Sequence, residues 1–428
     1  MESKTNADVT RYNPSLRAGT RVLTSDGVVP IEQLENKFFK TRNLNGGWSY
    51  ARCWKSGVDK PLHKLTLANG KEYFCTAEHK WPVLKEGKDE KTAETKTTLS
   101  KIEEVTEMTE SVSISEPETN NATVADLENS EEKIKEAAPA TPTDVKKTVT
   151  RTLTTDIKTN DRLPYTKSRA LCSPVDGVGT YSDGFSLAIL YCSPTVFVTE
   201  GARTNYVWVL PEEAANGDYG QLLTTWMNSI DYSAIRTFEQ KDDKENKFVV
   251  ITQQSEAFTK YMSKFGLSTE KEVKDKTYGV PQAVWTGTED FRRGFIDALY
   301  SFVGGIDEKQ GLAFIPSPSE TFVRDVWDLL GFYGVASTTK IGEKTEDGKD
   351  IVPLVVFEGD IFSQMFRVTS KEKQDVLDKI ERRKQDAIGE IEVSSCELTD
   401  LKEDVWGVAV YDTEHLFALS HCFTGNCG

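Results

Sequence analysis

The residues best equipped for covalent chemistry lie at the two ends of the chain. The last eight, HCFTGNCG, put Asn426 directly before Cys427, with His421 and Cys422 just upstream. An Asn side-chain amide can attack its own carbonyl and break the chain after itself. A Cys thiolate can take an acyl group from an ester. The chain has four histidines, His63, His79, His415 and His421, and none falls between residues 80 and 414. Any histidine chemistry therefore requires a fold that brings the ends together.

The elements that must do this are readable in outline. With 428 residues the chain is long enough for two or three domains. TRVLTSDGVVPIEQL reads as strand, Asp-Gly turn and strand. PLHKLTLANGKEYFCT repeats the pattern around Asn69-Gly70, and KWPVL continues it. Residues 86–150 hold 16 acidic and 8 basic residues, half of the chain's net charge of −16, with few aromatics. Such a segment cannot bury enough surface to offset its ordering entropy and is expected to be a disordered insert, with SKIEEVTEMTE transiently helical. VTRTLTTDIKTNDRLPY returns to β structure. Residues 172–393 then change character. Helical stretches (SDGFSLAILY, GQLLTTWMNSI, SEAFTKYMSKFG, DFRRGFIDALYSFV, SETFVRDVWDLLGFYG, SKEKQDVLDKIERRK) alternate with the strands KFVVITQ and VPLVVFEG, an α+β block. From Ser394, short strands are expected again: SCELTD, DVWGVAV and HLFALSHCF. The simplest account is one β domain split in sequence, with a second domain inserted into it.

Composition narrows the partners. The acidic balance argues against a broad nucleic-acid surface. No run of about 18 apolar residues exists, so no membrane span is expected. The N-terminal stretch lacks a secretory h-region, and seven Cys without a CxxC point to free thiols in a reducing compartment, the cytoplasm. A monomer is expected.

SLRAGTRVLTSDGVVPIEQL resembles the first sequence block of inteins, self-splicing protein inserts, with Ser15 as first residue and the G-T-x-V-x-T-x-D-G turn. FCTAEHKWPV resembles their second block, in which Thr76 and His79 match T-x-x-H. HLFALSHCFTGN followed by Cys427 resembles their last two blocks, and His415 matches a frequent His. The resemblance implies a mostly β, horseshoe-like Hint splicing domain. It is assembled from residues 15–85, 151–171 and 394–426, with residues 1–14 and 427–428 as flanking (extein) segments and the acidic 86–150 stretch between. It implies cofactor-free, single-turnover splicing whose partners are the protein's own flanks. Ser15 attacks the carbonyl of Pro14, Cys427 takes the acyl group, Asn426 cyclises, and residues 15–426 leave. Thr76 and His79 assist the first junction. The joined flanks, NPCG, resemble a segment of the ribonucleotide reductase large subunit, the host this suggests.

Three departures bear on efficiency. Ser15 stands where Cys is commoner, either naturally or as an introduced replacement, and the native-looking flanks on both sides (residues 1–14 and 427–428) favour a trapped or slow precursor. Gly425 stands where a His usually polarises the Asn carbonyl, leaving His421 or His415 to cover for it. The Asp common in the preceding block is absent, its candidate positions being Gly407 and Val408.

The block at 172–393 resembles the LAGLIDADG-type homing endonuclease domain that many inteins carry. FRRGFIDALYSFVGG matches the second motif up to its end, where the metal-binding Asp is replaced by Leu299. In the first repeat, GFSLAILYCSP, the corresponding position is taken as Ser193. Without those carboxylates, metal-assisted phosphodiester cleavage loses its core, so no metal site is expected and the nuclease is degenerate. The alternatives are a DNA-binding or homing-endonuclease-derived protein with inactive splicing ends, or a purely structural insert.

Overall fold

A computed structural model of the chain describes residues 14–86, 147–166, 171–172, 174–192, 198–200, 203–233, 235–242, 245–267, 272, 274–344, 348–380 and 388–425. Asn426, Cys427, Ser193, the SKIEEVTEMTE stretch and residues 87–146 of the acidic insert lie outside the described residues.

In chain order the strands are β1 (Leu16–Arg17), β2 (Arg21–Thr24), β3 (Gly27–Pro30), β4 (Phe38–Arg42), β5 (Trp48–Leu67), β6 (Glu72–Cys75), β7 (Lys80–Glu86), β8 (Lys147–Leu153) and β9 (Arg162–Thr166). After helix α1 (Tyr181–Cys192) come β10 (Val198–Glu200), β11 (Arg203–Pro211), α2 (Glu212–Asn216), α3 (Asp218–Ile230), β12 (Ile235–Lys241), β13 (Lys247–Gln253) and α4 (Glu256–Met262). Then follow α5 (Gln282–Thr286), α6 (Glu289–Val303), β14 (Gly305–Asp307), β15 (Leu312–Pro316), α7 (Glu320–Phe332), β16 (Ser337–Lys340) and β17 (Leu354–Glu358). The last elements are α8 (Gly359–Met365), α9 (Lys371–Lys379), β18 (Ile388–Val410), β19 (Leu416–Ala418) and β20 (Phe423–Gly425).

Strands from both ends share one large antiparallel sheet, in the order β3-β2-β4-β5-β6-β1-β18-β9-β7-β8. Its core holds Leu16, Val22, Leu65, Cys75, Trp81, Leu163, Val393 and Val408. The first hairpin forms as expected, but its pairing of Thr24 with Gly27 makes Ser25 and Asp26 the turn. Gly27, at φ +122°, opens β3, a conformation most side chains resist. In the second hairpin Gly70, at φ +85°, closes the loop between Leu67 and Lys71.

Four expectations change. SCELTD and DVWGVAV are parts of one 23-residue strand, β18, which follows β5 through several register shifts. The boundary expected at 393/394 falls inside that strand, because Ile388 already pairs with Thr166. HLFALSHCF is a hairpin: β19 and β20 pair around a tight turn closed by Leu419 N–H donating to Cys422 O (2.9 Å). At the edge of the acidic insert, Lys147–Thr150 are strand, paired with β7.

The α+β block carries two four-stranded sheets, β10-β11-β13-β12 and β14-β15-β17-β16. Its centre is the crossing of α1 and α6. A Cβ on Gly184 would lie 1.9 Å from Phe291 O, and one on Gly294 would lie 2.1 Å from Tyr181 O. Only glycine lets the backbones approach this closely. Helix α6 starts at Thr288, whose side chain accepts from Phe291 N–H, with Glu289 and Asp290 in its first turn. Among the described residues, no helix is long and apolar enough to cross a membrane.

Candidate functional site

Ser15 is placed by the pairing of its neighbour Leu16 with Cys75 on one side and Trp406 on the other. This buries Ser15 in the middle of the large sheet, 1% exposed. Thr76 clamps its backbone from both directions. Ser15 N–H donates to Thr76 Oγ1 (3.2 Å), and Thr76 N–H donates to Ser15 O (3.0 Å). The nitrogen that must leave in an attack on Pro14 is therefore the one Thr76 holds.

The Ser15 hydroxyl lies 2.6 Å from Ser56 Oγ, which in turn donates to Val405 O (3.1 Å). Ser56 has one hydroxyl proton and directs it at Val405, so Ser15 Oγ–H is the donor in that pair. Nothing in the sequence singles out Ser56, because it sits where β5 shifts register, between Lys55 opposite Trp406 and Gly57 opposite Val405.

His79 follows through Thr76, whose carbonyl accepts from His79 N–H (3.1 Å). The His79 carbonyl is held twice by Thr154, from its N–H (2.8 Å) and its Oγ1 (3.0 Å), and Trp81 Nε1–H donates to the same Oγ1 (3.2 Å). The imidazole packs edge-on against Trp81 at 4.9 Å between centroids. Burial pulls its pKa from 6.5 down to about 3, so it is neutral at pH 7. Its Nε2 lies 2.5 Å from Thr424 Oγ1, and its Nδ1 has no hydrogen-bond partner among the described residues. Thr424 stands two residues before Asn426. One side chain thus links the block around Ser15 to β20, the strand that precedes Asn426 in the sequence. Neither Thr154 nor Thr424 stands out in the sequence; lone threonines carry no signal until the fold pairs them.

Gly425 ends β20, paired with Leu416. A Cβ on it would lie 2.5 Å from Lys80 O and 3.3 Å from Lys80 C and Cβ. The backbone of β7 thus occupies the place a side chain would take. His415 precedes Leu416, at φ +51°, with its Nδ1 3.0 Å from Val410 O and its N–H donating to Asp412 Oδ1 (2.6 Å). Cys422 is buried beside Tyr73, and burial holds its thiol well above its ordinary pKa, the state of a packed residue and not of a nucleophile.

His421 faces elsewhere. Its ring packs at a tilt against Trp327 of α7 (4.9 Å between centroids), Nδ1 lies 3.2 Å from Asn69 Nδ2, and Nε2 is 3.8 Å from Asp328 Oδ1. Burial lowers its pKa to about 3. Its ring meets Trp327 and Asp328 of the inserted block, while Asn69 and Tyr73, whose Oη accepts from His421 N–H (3.1 Å), hold it to the β5–β6 hairpin; Ser15, Thr76 and His79 are tied to one another and to Thr424.

In the inserted block, Leu299 is five residues after Gly294 and fully buried in apolar surroundings. Counting five residues from Gly184, its partner at the helix crossing, reaches Ile189, also buried. Neither position holds an acid. The nearby acid Asp297 accepts from Tyr181 Oη, Ser301 Oγ (2.7 Å), and Thr369 N (2.7 Å) and Oγ1 (2.9 Å), and burial raises its pKa. No group of three or more His, Cys, Asp or Glu able to hold a metal occurs among the described residues.

No protein-family model matches the chain. A curated relative, the ribonucleoside-diphosphate reductase large subunit of Invertebrate iridescent virus 6, is 35% identical over 95 residues, 22% of this chain. The chain spans 10% of that protein's length. Among solved structures, the homing endonuclease I-WcaI bound to its DNA recognition sequence covers 46% of this chain and 88% of its own, at 12% identity and TM-score 0.31. I-DmoI in complex with DNA and Ca covers 42% and 83%, at 12% identity and TM-score 0.30. Full-length DUF199/WhiA from Thermatoga maritima covers 50% and 65%, at 14% identity and TM-score 0.29. Scores near 0.3 decide nothing about what this chain does.

Proposed function

We propose that the chain is an autocatalytic splicing element that excises residues 15–426 and joins its flanks. The observation that carries the reading is the link from Ser15 through Thr76 and His79 to Thr424, which joins the large sheet holding β1 and β18 to the separate β19–β20 hairpin.

In the first step Ser15 Oγ attacks the Pro14 carbonyl carbon. The Pro14–Ser15 amide becomes an ester, and the hydroxyl proton ends on the freed amine. His79 is neutral, so the proton it hands to the leaving nitrogen must be one it accepts in the same step. Thr76 Oγ1 orients that nitrogen. In the second step the Cys427 thiolate attacks the ester and Ser15 leaves as its hydroxyl. In the third, the Asn426 side-chain nitrogen closes on its own carbonyl, forming a succinimide and releasing the Cys427 amine. That amine then attacks the thioester and leaves an amide. No step requires a cofactor. The apolar pair Ile189 and Leu299 offers nothing to hold a catalytic cation, which disfavours a nuclease role for the inserted block.

The viral relative supports an insert within a ribonucleotide reductase. The two flanks together contain 16 residues, so at least 79 of the 95 matched positions fall inside 15–426. That reductase therefore carries a segment similar to the proposed insert itself.

The test is to follow the mass of the full chain with tagged flanks, with and without added thiol. The expected result is loss of the 412-residue segment 15–426 and a ligated flank product, with Ser15→Ala and Asn426→Ala each blocking it at a different step. An unchanged product pattern in both variants overturns the reading.

A further inference from the structure

The β19–β20 hairpin is wedged between two cores. Phe417, Leu419 and Cys422 pack into the core of the large sheet. Leu416, Ala418 and Phe423 pack into the core of the inserted block. The alternation is that of a strand buried on both faces. Around the hairpin's turn, the inserted block supplies polar contacts as well. Asn69 Nδ2, which meets His421, also donates to Ser337 O (3.1 Å), and Thr338 Oγ1 donates to Asn69 O (2.9 Å). Asp328 binds Lys71 and lies 3.4 Å from Arg21 Nη1, which also pairs with Asp325 at 2.7 Å. A Cβ on Gly331 of α7 would lie 2.5 Å from both His421 Cε1 and Ser420 O. No comparable contact from α7 reaches Ser15, Thr76 or His79 among the described residues.

We infer that the inserted block is a working wall of the C-terminal splice site: α7, through Trp327, Asp328 and Gly331, is a positioning element for the hairpin that carries Gly425. This inference rests on the splicing reading and deepens it. The inserted block is then a part the third step requires, and His421 acts as the anchor that α7 grips. Misplacing a reacting group by about 1 Å is enough to slow such a step about a hundredfold.

The test uses the full chain with Gly331→Ala, which pushes on the Ser420–His421 turn, and Asp328→Asn, which removes the charge beneath it. Two readouts separate the steps: hydroxylamine-sensitive cleavage at Ser15, and cleavage after Asn426. The expected result is a fall of about tenfold or more in the second with less than about a twofold change in the first. A general loss of stability would move both. A third readout, amide hydrogen exchange of residues 416–425, does not depend on splicing and should rise in both variants while the β2–β3 hairpin keeps its protection. Equal loss at both junctions, or unchanged exchange in 416–425, overturns the inference. If the unmutated chain cleaves at neither junction, the splicing reading fails, and the exchange result still decides whether α7 holds the hairpin.

Discussion

Replacing Gly425 by His restores the side chain that the resembled family usually has at this position, and it should harm the protein. The ideal Cβ meets Lys80 O at 2.5 Å, a backbone atom that cannot swing aside as a side chain would. Either β7 or β20 must shift. A shift of β20 moves the adjacent Thr424 Oγ1 away from His79 Nε2, now 2.5 Å distant. Forcing atoms into a packed site costs about 1–3 kcal/mol. Losing one buried hydrogen bond adds about 1 kcal/mol. The sum of about 2–4 kcal/mol corresponds to a fall in Tm of roughly 5–15 °C for a domain of this size. Thermal melts of the full chain followed by circular dichroism measure it. Gly425→Ala should show most of the steric part, because the clash begins at Cβ. If Gly425→His melts within about 1–2 °C of the unmutated chain and cleaves faster after Asn426, there is room at position 425 and the steric argument is wrong.

Acid should destabilise the fold well above the carboxylate range. His79 and His421 are held near pKa 3 against 6.5 in an unfolded chain, so between those values only the unfolded chain takes up their protons. Stability is full above pH 6.5 and falls below it, by about 2 kcal/mol per histidine at pH 5. Urea titrations at pH 7 and pH 5 should therefore differ by about 4 kcal/mol, and His79→Gln should halve the gap; equal midpoints at the two pH values refute it. His63 is also lowered by burial and acts in the same direction, though its greater exposure makes its share small. At the helix crossing, Gly294→Ala puts a methyl 2.1 Å from Tyr181 O and should destabilise the inserted block by about 2 kcal/mol or more, read as a lower melting temperature. Unchanged melting would mean that α1 and α6 are not in backbone contact.

What the sequence makes legible is local. The two hairpins announce themselves through Asp-Gly and Asn-Gly turns between alternating apolar residues, and DFRRGFIDALYSFV reads as the helix it forms. β18 reads as two strands because Leu401-Lys402-Glu403, between SCELTD and DVWGVAV, looks like a loop. In the fold it is the outer part of a ribbon with β5, largely exposed to solvent, so no alternation marks it. The strand RTNYVWVLP is absent from the expected elements although Tyr206, Trp208 and Leu210 alternate toward the core. At the site, residue types with intrinsic chemistry are visible, and those that matter only through a partner are not. Ser56, Thr154 and Thr424 acquire their roles from contacts 41, 75 and 345 residues away in sequence.

The absent His before the last Asn is best understood through those contacts. A His at position 425 would need space that Lys80 fills, so the fold and the Gly425 identity select each other. The same close approach that excludes a side chain brings β20 against β7, and this is what lets His79, one residue before β7, reach Thr424. Under the splicing proposal, close packing would substitute for the missing ring: the strand lacks its own His and gains contact, through Thr424, with the buried His79. Such a site has fewer groups able to act independently at its C-terminal end. It must depend more on the rigidity of the hairpin, and therefore on the inserted block that supports the hairpin's second face.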